Sequence, residues 1–322
     1  MKINLSSFLQ KRFNIFMCRM LGWRISFFYM SMLGKLYFFF NRKERRKIKN
    51  AVKTVFTGRD YKSDIKSITK AVFRGTLFHY YEKFFNAFST PETWKTFFRT
   101  HIENEGLTSI NQALSQGRGV LLITGHLGGV EFIPGYLSVN NYPVTIVVKF
   151  STNRLREISN QRAEEVSARF IDPDKTPNII KAIFDNLKEN RIVITQCDEI
   201  DEWRPCRNHK IDFLGKHIYM DRTINILSKR CNAAVVFGAM HRDCWRRYKF
   251  ITTSWEEMAK QYQQSMDMTV GEVVLKFMEH YIYNFPEEWY QWKKYSKLDM
   301  FAPTGILTET PTSIPVLKPS PV

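Results

Sequence analysis

Apolar residues recur with two different periods along this chain. Between residues 50 and 116 they follow a helical spacing and form one apolar stripe. Its residues are Phe73, Leu77, Tyr80, Tyr81, Phe84, Phe85 and Phe88. From residue 120 onward, short β-branched runs of strand length alternate with stretches of helical period. This alternation predicts an α/β fold in which a mixed central sheet is flanked by helices. We predict strands at 120–124, 144–149, 192–196, 233–238 and 249–253, one helix ending near 139, and further helices at 154–170, 176–190, 221–231 and 270–283.

The most apolar stretch of the sequence covers residues 21–40. Its uncharged window between Arg24 and Lys35 is too short to cross the roughly 30 Å hydrocarbon core of a bilayer. No small-residue cleavage site follows, which argues against a secretory signal peptide. We therefore expect an aromatic, basic helix that lies in the headgroup region, with a spanning helix as the alternative if Lys35 faces protein.

A polybasic block with the sequence RKERRKIK follows directly, at residues 42–49. Each lysine or arginine near a membrane surface contributes about 1 kcal/mol of attraction to anionic lipid, and such blocks stay on the cytoplasmic side. A solvated helix face is the alternative interpretation of a charge run. We interpret residues 1–49 as a membrane-associating segment, residues 50–300 as the main domain, and the proline-rich residues 301–322 as a disordered tail.

The formal net charge of +17 requires a partner or surface of opposite sign. Nucleic acid, anionic lipid and an acidic carrier protein all meet this requirement. No nucleic-acid-binding motif accompanies the charge, and much of it lies beside the apolar segment, so we predict no nucleic-acid partner. The five cysteines are odd in number and lack a C-x-x-C spacing, which predicts reduced thiols in a cytosolic compartment.

Candidate chemistry is concentrated in a glycine-rich turn after the first predicted strand. Gly125, Gly128 and Gly129 allow positive φ angles and close approach of a ligand to the backbone. His126 lies among them, and Glu131 follows five residues later. If the turn brings both side chains to one place, the carboxylate orients the imidazole as a general base. The alternative is a hydrogen-bonded histidine at the end of a strand.

Four further stretches follow this turn in a fixed order. They are VVKFSTN at 147–153 with Arg154, Arg156 and Arg162 after it, TQCDE at 195–199, IDFLGK at 211–216 and PEEWYQWKK at 286–294. Together with the turn, they resemble the bacterial lipid A late acyltransferases, which transfer lauroyl and myristoyl groups and are related to the lysophospholipid and glycerolipid acyltransferases. The resemblance covers roughly residues 15–297.

The resemblance implies a role for individual residues. His126 is implied to be the general base, and Glu131 its orienting carboxylate. Arg162 matches an arginine near the phosphopantetheine of the donor or a phosphate of the acceptor. Asp198 matches the aspartate of an Asp-Gln pair, but Glu199 stands here in place of the glutamine. The added negative charge disfavours an anionic sugar headgroup and leaves the identity of the acceptor open.

The remaining predicted substrate contacts are backbone amides and cations. We expect the N–H groups of Gly128 and Gly129, or the guanidinium of Arg162, to stabilise the oxyanion. Lys149, after the second predicted strand, completes the predicted substrate-binding set. This chemistry requires no metal, and we predict no metal site because the scattered histidines lack a ligand spacing.

The sequence thus predicts an acyltransferase that moves a fatty acyl chain from a thioester donor to a hydroxyl of a lipid A precursor or a related bacterial glycolipid. The donor is expected to be an acyl carrier protein or coenzyme A thioester, which is a co-substrate, and no cofactor is expected. The expected location is the cytoplasmic face of the bacterial inner membrane, in contact with anionic lipid. The alternatives are a non-catalytic membrane-bound scaffold of the same fold, or an acyltransferase with a phospholipid or aminolipid acceptor.

Overall fold

The structure of the protein, a computed structural model, describes residues 11–59, 64–150, 153–262 and 268–303. Most of the predicted tail, residues 304–322, and the first ten residues of the predicted membrane segment lie outside this range. The strands in the described residues are β1 (Ile102–Glu105), β2 (Val120–Thr124), β3 (Val144–Val147), β4 (Arg169–Ile171), β5 (Ile192–Gln196), β6 (Pro205–Phe213), β7 (Lys216–Asp221), β8 (Ala234–Cys244) and β9 (Arg247–Ser254).

Helices surround these strands and fill the first third of the chain. The α-helices are α1 (Arg12–Phe40), α2 (Arg42–Phe56), α3 (Ile65–Phe88), α4 (Pro91–Thr100), α5 (Thr108–Ser115), α6 (Ile133–Val139), α7 (Asn153–Glu165), α8 (Ile179–Lys188), α9 (Thr223–Arg230), α10 (Trp255–Tyr262) and α11 (Val270–Asn284). Short 3₁₀ segments cover Val130–Phe132, Ile200–Glu202, Pro286–Glu288 and Tyr290–Phe301.

Strand β2 lies near the middle of a sheet with the order β1-β9-β8-β2-β5-β3-β4. It pairs in parallel with β5 on one side and with β8 on the other. All five of its residues are buried. Val120 and Leu122 pack in one hydrophobic core and Leu121 and Ile123 in the other, as the two-residue period of a strand requires. The carboxyl ends of β2, β5 and β8 therefore meet at one edge of the sheet.

The sheet is mixed because β9 returns antiparallel to β8, and β1 pairs in parallel with β9. Strands β6 and β7 form a separate antiparallel hairpin. The predicted fold class, an α/β fold with a mixed central sheet flanked by helices, is confirmed. Among the predicted strands, 120–124 and 192–196 are found at the same residues, whereas β8 continues six residues past the predicted end at 238.

The sequence did not predict β1, β4, β6 or β7. Strand β4 overlaps the last two residues of the predicted helix 154–170, which was too long. Helix α7 ends at Glu165, and Ser167 has a left-handed φ of 53° that is incompatible with a continuing α-helix. Strand β6 is mostly exposed along its length, so its sequence lacks the alternation that marks a half-buried strand.

Helix α1 is bent at Gly22, where φ is 69° and ψ is 158°. Glycine adopts this conformation at little cost, so the bend is set by the sequence. The second part of α1 packs against α3: Phe27 stacks on Phe78 with ring centroids 4.5 Å apart, and the Tyr81 hydroxyl donates to the Trp23 carbonyl at 2.7 Å. Within the described ranges, no helix combines the length and the apolarity that crossing a bilayer needs. Membrane association of residues 1–49 stays a prediction.

A buried ion pair connects α3 to the end of β8. The guanidinium of Arg242 donates to both carboxylate oxygens of Glu82, at 2.6 and 2.8 Å, and also to the Gly128 carbonyl at 2.6 Å. The Tyr248 hydroxyl donates to Glu82 at 2.9 Å. Burial raises the pKa of Glu82, and the contacts with Arg242 and Tyr248 offset this only in part. The pair therefore fixes the position of the glycine turn, but the Glu82 charge depends on its partner.

We expect Arg242→Met to lower the free energy of unfolding by about 3–5 kcal/mol, because it leaves the fully buried Glu82 carboxylate without its cation. Urea denaturation followed by circular dichroism measures the change. The matched control is the double variant Glu82→Gln/Arg242→Met, which removes both charges and should recover much of the loss. If Arg242→Met were as stable as the wild type, the ion pair would not stabilise the fold.

Candidate active site

His126 lies in the turn that follows β2, at the carboxyl edge of the sheet. Its side chain is 9% exposed. Strands β2 and β5 remain in register to their ends, where Thr124 is opposite Gln196, and the Cys197 amide then donates to the Thr124 carbonyl at 2.8 Å. The two loops therefore leave the sheet side by side, and Asp198 lies against His126.

Asp198 is fully buried and accepts hydrogen bonds from both neighbouring segments. The backbone N–H of His126 donates to its two carboxylate oxygens at 3.0 and 2.9 Å, and His126 Nδ1 lies 2.8 Å from Oδ1. The Trp289 indole donates to Oδ2 at 2.8 Å. Burial alone would raise the pKa of Asp198, but the imidazole of His126 and the hydrogen bonds from His126 and Trp289 outweigh it and lower the pKa.

This arrangement fixes the tautomer of the imidazole. An ionised Asp198 only accepts hydrogen bonds, so Nδ1 carries the proton and Nε2 holds the free lone pair. The side-chain amide of Gln291 lies 3.0 Å from Nδ1, and in the described part of the chain its Oε1 is buried without a partner. Since Nδ1 donates, the amide oxygen is the end of Gln291 that suits this position. His126 is therefore set up as a base through Nε2.

A second carboxylate lies on the Nε2 side of the ring. Glu199 Oε2 is 3.5 Å from His126 Nε2, and Glu199 Oε1 accepts from Lys294 at 2.7 Å. Lys294 also lies 3.0 Å from Asp201. Burial opposes the charge of Lys294, but its bonds to Glu199 and Asp201 outweigh burial and raise its pKa. Glu199 is about one-third exposed, so it can move where Asp198 cannot.

Glu131 lies elsewhere than predicted. Its carboxylate is 3.1 Å from Lys83 Nζ and 3.8 Å from His79 Nε2, and the described residues contain no hydrogen bond or ion pair between Glu131 and His126. The reason is local: the segment Val130–Phe132 is a 3₁₀ turn that directs Glu131 toward α3. The carboxylate in contact with His126 Nδ1 is that of Asp198. A part for Glu131 in catalysis stays a prediction.

Two aromatic rings, those of His79 and Tyr290, lie between Glu131 and His126. His79 is 1% exposed and stacks on Tyr290 at 3.7 Å between ring centroids. Tyr290 in turn lies 5.1 Å from the His126 ring. Burial lowers the pKa of His79 well below its usual value, so this ring is neutral. The carboxylate of Glu131 raises the pKa of Lys83, which keeps that ion pair charged.

The predicted oxyanion donors, the amides of Gly128 and Gly129, are used inside the protein. Gly128 N donates to the Glu288 carbonyl at 3.0 Å, and Gly129 N donates to the Met240 carbonyl at 2.8 Å. Gly128 has a φ of 52°, and a Cβ there would lie 2.0 Å from the Met240 oxygen. Glycine is required here for close packing of the backbone against β8, which corrects the prediction of an open ligand-binding turn.

Arg162 and Lys149 do not converge on this arrangement. Arg162 donates to the carbonyls of Asn86 and Ser89 at the end of α3, and its guanidinium lies 5.4 Å from the Trp94 ring centroid. Lys149 is exposed and lies 3.8 Å from Asp174 and 3.6 Å from Glu202. Arg162 therefore caps α3, and the substrate contacts predicted for both residues stay predictions.

Sequence reasoning missed the contribution of the C-terminal segment. Trp289 is buried, and its indole N–H donates to Asp198. Tyr290 N donates to the His126 carbonyl at 3.1 Å, and Gln291 reaches Nδ1. The sequence feature that could have indicated this contribution is the cluster of aromatic and amide residues in PEEWYQWKK. Their polar atoms need hydrogen-bond partners once they are buried.

Cys197 lies next to Asp198 but differs from it in chemistry. The thiol is 4% exposed, and its Sγ is 3.5 Å from the sulfur of Met278. Burial and the charge of Asp198 raise its pKa well above the usual value, which disfavours the thiolate. Cys197 is thus a buried thiol whose surroundings disfavour the nucleophilic thiolate.

The amino-acid sequence matches a known protein family. The model for the bacterial lipid A biosynthesis acyltransferases matches residues 12–294. That range includes His126, Asp198, Glu199 and the C-terminal segment through Lys294. No curated protein matches the sequence of the chain. The chain belongs to the bacterial lipid A biosynthesis acyltransferase family.

Proposed function

We propose that the protein transfers a fatty acyl chain from a thioester donor to a hydroxyl of a lipid A precursor or a related bacterial glycolipid, with His126 as the general base. The proposal is carried by the 2.8 Å contact between His126 Nδ1 and the buried Asp198 carboxylate, in a member of this acyltransferase family. The family implies a lipid acceptor and an acyl donor, and the histidine supplies the proton transfer that joins them.

His126 Nε2 takes the proton from the acceptor hydroxyl as its oxygen attacks the thioester carbonyl. The tetrahedral intermediate then collapses, the carbon–sulfur bond breaks, and the imidazolium returns the proton to the leaving sulfur. The products are an ester and a free thiol, and the enzyme is unchanged. Positioned proton transfer of this kind contributes about 10²–10⁴-fold to the rate.

Asp198 stabilises the imidazolium that forms during this step. Its negative charge lies against Nδ1, and its other oxygen is held by Trp289. Since the carboxylate is already oriented before substrate binds, no reorganisation is needed in the transition state. Glu199, on the other side of the ring, must yield the space beside Nε2 to the acceptor hydroxyl. Glu199 already accepts a hydrogen bond from Lys294 and keeps this partner when it moves away from Nε2.

We assign the lysines around Tyr290 to stabilising the negative charge that forms on the thioester oxygen in the tetrahedral intermediate. Lys83 pairs with Glu131, Lys294 pairs with Glu199, and Lys293 Nζ lies 5.3 Å from the Tyr290 ring centroid. These cations balance the acidic residues that made an anionic acceptor doubtful from sequence. An oxyanion donor is typically worth about 10²–10³-fold in turnover.

The donor is an acyl carrier protein or coenzyme A thioester, and the reaction takes place at the cytoplasmic face of the bacterial inner membrane. Both donors are acidic, and the net charge of +17 supports binding to either of them as well as to anionic lipid. The proposal includes no cofactor, because the thioester itself supplies the activated acyl group.

Asp198→Asn should lower kcat by about 10²–10⁴-fold with a small change in KM, because the amide no longer enforces the tautomer with a free Nε2. His126→Ala should be at least as damaging. Acyl transfer from a radiolabelled acyl carrier protein to a lipid A precursor measures both, with circular dichroism to confirm folding. Wild-type turnover in either variant would refute the proposed base. A wild-type protein that transfers no acyl group from any thioester would support the scaffold alternative.

Glu131→Gln distinguishes the two carboxylates. We expect it to lower kcat/KM by about tenfold or less, because Glu131 does not contact His126 in the described residues and the rings of His79 and Tyr290 lie between them. Lys83→Met breaks the same ion pair from the other side but should cost about 10²–10³-fold, because it also removes a cation that we assign to the thioester oxygen. A loss in Glu131→Gln as large as that of His126→Ala would restore Glu131 as the orienting carboxylate.

A further inference from the structure

Helix α1 is apolar on two faces. Its inner face, with Phe27, Met30 and Phe38, is buried against the protein. The outer face carries large apolar side chains at intervals of three and four residues, which places them on one stripe. These exposed residues are Ile25, Phe28, Met32, Leu36 and Phe39. The side chain of Phe28 is the most exposed of these, at 68%. A helix that is apolar on all its faces is expected to be covered on both sides.

The stripe continues onto a second element that is distant in sequence. Trp245 lies at the tip of the β8–β9 hairpin and is 40% exposed. Its ring centroid is 4.4 Å from that of Phe27 and 5.9 Å from that of Phe28. Trp245 also lies 5.8 Å from Phe78 of α3. Helix α1 and the hairpin tip therefore form one apolar surface, which we call the α1–hairpin surface.

Arginines border this surface. Arg246 and Arg247 follow Trp245 directly, and Arg24 precedes Ile25 on α1. Arg24 and Arg247 are exposed, whereas Arg246 is partly buried, with its guanidinium 5.8 Å from the Phe97 ring centroid. In the part of the chain that the structure describes, none of the three forms an ion pair with an acidic side chain. Asp243, at the end of β8, carries one negative charge against their three positive charges. An apolar patch containing tryptophan with arginines at its border has the composition of a membrane–water interface.

The hairpin tip lies at the same edge of the sheet as His126. Strand β8 runs parallel to β2, and Met240 of β8 pairs with Gly128 of the glycine turn. Five further residues lead from Met240 to Trp245, so the tip extends about 15 Å beyond the turn. Contact of the tip with a bilayer would therefore bring the catalytic edge of the sheet toward the lipid.

We propose that the tip of the β8–β9 hairpin, Trp245 with Arg246 and Arg247, is a second contact with an anionic bilayer and acts together with the outer stripe of α1. This inference rests on the proposed function, since it specifies how the enzyme meets its lipid. The chemistry favours a bilayer over a second copy of the chain. A self-association across this surface would bring two sets of arginines together, whereas anionic headgroups neutralise them.

The test is binding of the full-length protein to vesicles of phosphatidylcholine with and without phosphatidylglycerol, measured by co-sedimentation. Trp245→Ser should weaken binding to both kinds of vesicle by about tenfold, because it removes a large apolar ring. Arg247→Gln should weaken binding by about fivefold, and only with phosphatidylglycerol present, because it removes one charge near the surface. Arg247 is exposed, so this variant tests the proposal even if loss of Trp245 affects folding.

Matched controls lie outside the surface. Met300→Ser removes another exposed apolar side chain, and Lys188→Gln removes an exposed charge from the end of α8 that leads to the opposite edge of the sheet. Neither should change vesicle binding. Losses in the Met300 and Lys188 variants equal to those of Trp245 and Arg247 would overturn the proposal, as would wild-type binding by both hairpin variants.

Two further measurements separate the remaining outcomes. If Trp245→Ser converts a wild-type dimer to a monomer in analytical ultracentrifugation and leaves vesicle binding unchanged, a second copy covers the surface and the proposal fails. Acyl transfer to a detergent-dispersed acceptor tests the proposed function separately, because Trp245→Ser should keep its turnover there. A wild-type protein inactive in that assay would refute the proposed function, while the difference between hairpin and control variants in vesicle binding would still decide the membrane contact.

Discussion

A buried carboxylate is the constraint on which the geometry of the site depends. Asp198 has no exposed surface, and an unpaired charge in that position would be strongly unfavourable. The backbone and ring of His126 and the indole of Trp289 satisfy it. Since the charge needs all of these partners, it holds together the loops after β2 and β5 and the C-terminal segment. The same contacts orient the imidazole, so stability and function share one interaction.

The glycine turn is held from its other side by the ion pair between Glu82 and Arg242, which also binds the Gly128 carbonyl. Both sets of contacts are buried, so the Nδ1 side of His126 is rigid. The Nε2 side differs, because it faces Glu199, which is about one-third exposed and already shared with Lys294. The fold thus fixes the direction of the imidazole. Under the proposed function, substrate enters on the Nε2 side, which the exposure of Glu199 leaves adjustable.

The sequence was sufficient to locate the central strands β2 and β5 and the turn that carries His126, but not the carboxylate that contacts His126. Buried parallel strands are continuous apolar runs, which is why β2 and β5 were located correctly. That these strands are neighbours follows from tertiary packing, and the contact between His126 and Asp198 depends on it. Glu131 was favoured because it is close in sequence, but a 3₁₀ turn directs it to Lys83. Trp289 lies 91 residues beyond Asp198, and no local pattern connects them.

The position of the site relative to lipid has an energetic consequence. Removing an acyl chain from a bilayer costs about 0.8 kcal/mol per methylene, so a chain of about twelve carbons costs about 10 kcal/mol. A soluble site would have to recover that cost from its own apolar contacts before any chemistry. If the α1–hairpin surface rests on the membrane as we propose, the edge that carries His126 faces the headgroups, and an acceptor hydroxyl can reach Nε2 while the acyl chains of the acceptor stay in the bilayer. Binding energy is then available for orienting the two reacting groups.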